Sequence, residues 1–483
     1  MKNISQVTQK TFGSLPEKII QFGEGNFLRA FADYITDTAN AAGKFNGSIV
    51  LCQPIERGMC DAINAQNGIY TLLMRGVENG EVVEKYKTLT SVSRCVNPYA
   101  DYEQYIAVAR NEELKVVISN TTEAGIAYRE GDLLTDTPPV SYPAKLAAFL
   151  YERYKTFNGA ADKGLLILPV ELIENNGTFL KKYILQYVAD WGISEGFSEW
   201  INTSCHIANT LVDRIVTGYP HADAQQICEK LGYEDNLLDT CEPFLFWAIE
   251  ADEKWAEVFP ITDLGLDVVF VPDITAYKTR KVRILNGSHT LSVLAAYLAG
   301  HDIVLEMMND EVFSSLIKNA LREEIIPFIP LPEQEKADFA ASVLERFGNP
   351  FIKHRLLDIS LNSVSKYKAR CLPSVIDYTA ENHRAPKALA FGLAALIRFY
   401  KGEFEDGKYF GTRNGEKYEI RDDEAVLKFM CDAWKTPQTV KAVLSNTVFW
   451  GRNLTQLEGF TEAVENDLAS IERFGVRAAL ERL

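Results

Sequence analysis

Over the first half of the chain, short apolar runs at residues 19–22, 48–52, 115–120, 165–170 and 268–271 alternate with amphipathic stretches of helical spacing. This alternation constrains the fold more than any other feature. Parallel strands need a connection long enough to cross the sheet, and a helix is the usual one, so strand and helix in alternation predict a parallel sheet covered by helices. The segment from 68 to 92 departs from the pattern. It reads as a hairpin turning at Asn79-Gly80, a favoured two-residue turn, and is expected to add antiparallel to the same sheet. After about Asp273 the strands nearly stop and helical patterns follow one another. Pro332-Glu333 begins a helix predicted to run to about Phe347, Asn349-Pro350 breaks the chain, and residues 409–421, with Asn414-Gly415, read as a second hairpin. At 483 residues the chain is long enough for two cores. The expected architecture is an α/β domain over residues 1–275 followed by a mostly α-helical domain over residues 276–483.

The first strand runs into the sequence Lys18-Ile19-Ile20-Gln21-Phe22-Gly23-Glu24-Gly25-Asn26-Phe27-Leu28-Arg29-Ala30, a strand, a Gly-x-Gly turn and a helix. Gly23 permits a tight turn. Gly25 lets a pyrophosphate approach the backbone where the free N–H groups of a helix start favour negative charge. The third glycine of the usual dinucleotide fingerprint is absent, since Leu28 stands there, and on spacing alone a plain glycine turn remains open. No acidic residue closes the second strand: Gln53 follows Cys52, and Glu56 is the nearest acid. With only Arg57 nearby to meet a 2′-phosphate, NAD is the expected cofactor over NADP.

Lys281, Asn286 and His289 open the helical half within Lys281-Val282-Arg283-Ile284-Leu285-Asn286-Gly287-Ser288-His289. On an α-helix they fall at roughly 0°, 140° and 80°, sharing one broad side. A lysine, an amide donor and an imidazole suit a carbonyl/alcohol pair: one exchanges the proton, one supports the developing alkoxide, one orients the oxygen. A lysine needs help to act as a base near neutral pH, and the flanking Arg280 and Arg283 are expected to give it by like charge. The alternative is an amphipathic helix with a basic edge and a core histidine.

The formal net charge of −16 argues against nucleic-acid and anionic-membrane partners. No apolar run is long enough to span a bilayer, and the first residues lack the apolar core of a signal peptide. Eight scattered cysteines, without a CxxC pair or a close Cys/His cluster, read as reduced thiols of a cytoplasmic protein, and no metal is expected.

Taken together, these segments resemble the mannitol dehydrogenase family, the polyol-specific long-chain dehydrogenases. The resemblance spans almost the whole chain. The K-x-x-x-x-N-x-x-H motif matches Lys281, Asn286 and His289, the nucleotide turn matches Gly23 and Gly25 with Arg29 nearby, and V-D-R-I matches Val212-Asp213-Arg214-Ile215. It implies an extended Rossmann-type first domain that binds NAD through residues 19–30, an all-α second domain, and metal-free catalysis with Lys281 as acid–base residue. Asn286 would support the alkoxide, His289 would place the oxygen, and Asp213 would orient these groups or simply accompany Arg214. Within the family, Ser119-Asn120-Thr121-Thr122-Glu123-Ala124-Gly125 and Asn349-Pro350-Phe351-Ile352-Lys353-His354 resemble a branch acting on sugar acids. The mannitol-type contacts are interrupted: Leu172 stands at an oxyanion asparagine, and Asp358 replaces an arginine eight residues before Lys366. A sugar-acid substrate is therefore expected, with Lys353, Arg355 and Lys366 as candidates to hold its carboxylate. A non-catalytic nucleotide sensor is the reading from another class, and the intact Lys281, Asn286 and His289 argue against it.

Overall fold

The computed structural model describes residues 1–121 and 124–483. Two of the residues quoted in the segment after Ser119, Thr122 and Glu123, lie outside the described residues. The chain divides into two compact units, one of Met1–Gly76 and Val82–Ile274, the other of Val77–Glu81 and Thr275–Leu483.

The first unit is built on a six-stranded sheet of β1 (Glu17–Phe22), β2 (Ser48–Cys52), β3 (Val92–Val96), β4 (Val116–Ser119), β5 (Leu166–Pro169) and β6 (His206–Ile207). Every pairing is parallel and the spatial order is β3-β2-β1-β4-β5-β6, the order of a dinucleotide-binding α/β sheet. The strands read as continuous apolar runs because both faces are covered. Ile19, Ile49, Leu51, Val116, Ile118, Leu166 and Leu168 enter one core. Their chain neighbours Ile20, Val50, Cys52, Val117 and Ile167 enter the other. The helix of residues 26–41 covers the first face through Leu28, Phe31 and Ile35. Tyr142–Thr156 and Asn176–Asp190 cover the second through Leu146, Phe149, Leu180 and Ile184.

Two expectations are corrected. The hairpin forms, as Tyr70–Glu78 and Glu81–Leu89, and both turn residues have positive φ (Asn79 54°, Gly80 77°). It does not extend the main sheet. Its first strand pairs parallel with Asp239–Cys241, so the hairpin belongs to a separate three-stranded sheet. The run at 268–271 likewise becomes Asp267–Val271 in a third sheet, parallel to Phe246–Glu250, which pairs antiparallel with Thr210–Asp213. An apolar run reports burial and says nothing of its partner.

The second unit is mostly helical. One continuous helix spans residues 275–299, and Lys387–Phe399 and Phe460–Phe474 pack in its core. Glu333–Phe347 forms behind Pro332, which sits at the N-cap. The expected second hairpin is part of a three-stranded antiparallel meander of Gly402–Glu405, Lys408–Arg413 and Glu416–Glu419. No helix among the described residues is long and apolar enough to cross a membrane.

Candidate active site

In the first unit, the glycine turn lies at the carboxyl ends of three neighbouring strands. The Gly23 N–H donates to the Cys52 carbonyl at 3.0 Å, and the Asn120 N–H donates to the Phe22 carbonyl at 3.0 Å. Gly23 has φ 126°, and a Cβ there would stand 2.9 Å from the Asn120 oxygen, so the turn itself requires glycine. Gly25 differs. It caps the helix of residues 26–41 with ordinary extended backbone, and a Cβ there would meet no protein atom. The fold has no internal need of glycine at 25. Open space in front of the free N–H groups of a helix start is what a pyrophosphate requires.

Arg29 is turned inward. It is 1% exposed, donates to the Leu237 carbonyl at 2.5 Å and to Asn26 Oδ1 at 2.7 Å, and lies 3.8 Å from the Asp239 carboxylate. Its charge thus ties the helix to the strand Asp239–Cys241. Beside it, burial pushes the Asp33 carboxyl up to about 7, although Tyr70 donates to it at 2.6 Å. After β2, Gln53 donates to the carbonyls of Ile55 and Glu56 at 2.9 and 3.0 Å, shaping the loop where a ribose-reading acid is usual. Glu56 and Arg57 are both exposed.

At the ends of β4 and β5, the buried Glu171 accepts from Ser119 Oγ at 3.2 Å and from the Thr121 N–H and hydroxyl at 3.0 and 2.9 Å. Burial pushes its carboxyl up to about 7. Leu172 is 65% exposed. Asp213 closes its strand opposite Phe246 and is buried at 7% exposure. The Arg214 guanidinium donates to the carbonyls of Glu242 and Ala30.

In the second unit, Lys281 and Asn286 are the first and last residues of a π-helical segment within the helix of residues 275–299. The Gly287 N–H reaches back five residues to the Val282 carbonyl. The α-helical offset of roughly 140° between Lys281 and Asn286 therefore does not apply: five residues apart in an i→i+5 turn, they come round to the same side of the helix. Sequence spacing gave no sign of this segment. Arg283, expected to press on its neighbours by like charge, pairs with Asp377 at 2.5 Å, and Arg280 lies over the rings of Phe339 and Tyr277.

His289 follows the π segment. Its ring stacks on Phe347 at 4.1 Å and meets His354 edge-on at 5.3 Å. Nε2 is buried and has no hydrogen-bond partner among the described residues. Burial, and then the charges of His354, Arg346, Arg370 and Lys366, hold the imidazole well below its ordinary pKa. The ring is neutral, with one nitrogen free for an incoming oxygen. Of the expected carboxylate holders, Lys353 and Arg355 are exposed, whereas Lys366 is half-buried with Nζ 2.9 Å from the Ile359 carbonyl. The basic groups that converge on His289 come from other segments, and the sequence reading missed Arg346 and Arg370. The i, i+4 spacing of Lys366 and Arg370 was the available signal.

Two family descriptions match the chain: mannitol dehydrogenase Rossmann domain over residues 17–261 and mannitol dehydrogenase C-terminal domain over residues 273–472. Altronate oxidoreductases of Shigella flexneri serotype 5b and Escherichia coli O7:K1 are each 43% identical over 477 residues, covering 97% of both chains. Among solved structures, D-sorbitol dehydrogenase in substrate-free form superposes with a TM-score of 0.79 at 20% identity, over 96% of this chain and 95% of that one. Pseudomonas fluorescens mannitol 2-dehydrogenase, in a ternary complex with NAD and D-mannitol, gives a TM-score of 0.67 at 23% identity, over 98% and 95%.

Proposed function

This chain belongs to the mannitol dehydrogenase family, and we propose that it catalyses the NAD-dependent interconversion of D-altronate and D-tagaturonate. The observation that carries the substrate is the 43% identity to altronate oxidoreductases across 97% of the chain. The chemistry rests on Lys281, Asn286 and the His289 Nε2, which has no hydrogen-bond partner among the described residues, gathered on one helix.

NAD, when bound, exchanges a hydride with the carbinol carbon of the substrate. The open backbone at Gly25 and the helix start after it suit the pyrophosphate. Lys281 accepts the hydroxyl proton in oxidation and returns it in reduction. Asn286, one wide turn along the same face, donates to the oxygen as negative charge develops on it. His289 stays neutral and places that oxygen through Nε2, its ring fixed against Phe347.

Lys281→Ala tests the assignment. Turnover should fall by about 10² or more while NADH affinity, followed by fluorescence titration, stays close to that of the parent protein. Near-normal turnover would remove Lys281 from the mechanism.

A further inference from the structure

Arg370 closes the helix Ser363–Arg370, whose end packs against Gly287, between Asn286 and His289. A Cβ on Gly287 would be 3.2 Å from the Arg370 carbonyl, and the Cys371 thiol donates to the Gly287 carbonyl at 3.5 Å. The Arg370 charge is among those that act on His289. Its guanidinium donates to Thr290 Oγ1 at 3.4 Å, a neutral acceptor next to the histidine. Lys366 lies one turn earlier on the same helix, the i, i+4 spacing that puts two side chains on one face.

Both cations are half-buried, and among the described residues no carboxylate lies within ion-pair distance of either. Burial holds the Arg370 guanidinium below its ordinary value. Burial, and then Arg370 itself, does the same to Lys366, with Asp422 opposing. Two fully buried arginines elsewhere in this protein find their partners within the chain. Arg29 is near Asp239, and Arg153 donates to four backbone carbonyls. A half-buried guanidinium whose one polar contact among the described residues is a hydroxyl retains most of its donors for a ligand.

We propose that Arg370, assisted by Lys366, binds the carboxylate end of the substrate and sets the preference for a sugar acid over a neutral sugar. The inference rests on the sugar-acid reading above. A guanidinium offers two parallel N–H donors to a carboxylate and no comparable pair of bonds to a hydroxymethyl group. The exposed Lys353 and Arg355 are better screened by water and are poorer candidates.

The test compares kcat/KM for D-tagaturonate and for D-tagatose, the ketose with a hydroxymethyl group in place of the carboxylate, in the parent protein, Arg370→Gln, Arg370→Lys and Lys353→Ala. In the parent the uronate should be strongly preferred. If it is not, the sugar-acid reading fails, whatever the variants do. Given that preference, Arg370→Gln should reduce the uronate/ketose ratio by about 10- to 100-fold, mainly through KM, and Arg370→Lys should recover part of it. Lys353→Ala should leave the ratio nearly as it was. An unchanged ratio in Arg370→Gln, or equal losses on both substrates, would overturn the proposal. If Arg370→Gln does not fold, the Arg370→Lys ratio decides alone, and a value equal to the parent's counts against it.

Discussion

At the scale of single residues, the state of His289 decides how the site works. Its imidazole is kept neutral by burial and by the surrounding cations, so it changes hydrogen-bond partners and not charge. His289→Asn should therefore cost about 10- to 100-fold in kcat/KM while adding or removing no limb of the pH–rate profile between about pH 5 and 8. A limb present in the parent and lost in the variant would show that the histidine titrates during turnover. Lys281, Asn286 and His289 could be singled out from the sequence because they fall within nine residues, as one motif that resembles a known family's. Phe347 and His354 meet the same ring and Arg370 acts on it by charge, all from other segments, and no spacing rule links them.

At the scale of elements, the strand–turn–helix at residues 17–41 separates two kinds of glycine. Gly23→Ala places a Cβ 2.9 Å from the Asn120 carbonyl at φ 126°, and should destabilise the protein by about 1–3 kcal/mol in a denaturant titration. Gly25→Ala meets no protein atom, and should leave stability nearly unchanged while weakening NADH binding. Equal stability losses in both variants would remove the argument that Gly25 is kept for a ligand. The strands β1, β2, β4 and β5 were legible because a strand buried on both faces is a continuous apolar run. The hairpin was legible from Asn79-Gly80, but its sheet was not. The partner strand Asp239–Cys241 lies more than 150 residues away, and its sequence, Asp239-Thr240-Cys241, has no apolar run to announce it. The π-helical register at residues 281–286 was also invisible, since a single widened turn leaves hydrophobic periodicity almost intact.

At the scale of the whole molecule, the fold holds carboxyls that resist ionisation. Burial pushes Asp33 and Glu171 up to about 7 and Asp239 up to about 6. Across the range from ordinary carboxylate values to these, the native state keeps protons that the unfolded chain has lost, so this contribution to stability falls as pH rises. His289 and His354, lowered by burial, act in the opposite sense and lose stability as pH falls through the ordinary histidine range. Asp33→Asn isolates one part. Thermal unfolding should show the variant gaining on the parent between about pH 5 and 8, by on the order of 2 kcal/mol. A gap that does not change with pH would mean that Asp33 is ionised in the folded protein. The account as a whole turns on substrate and cofactor, and one measurement reaches both: the initial rate of NADH oxidation by the full-length protein with D-tagaturonate, D-fructuronate and D-fructose, repeated with NADPH. The account predicts the highest kcat/KM for tagaturonate with NADH. A clear preference for fructose, or for NADPH, would contradict it.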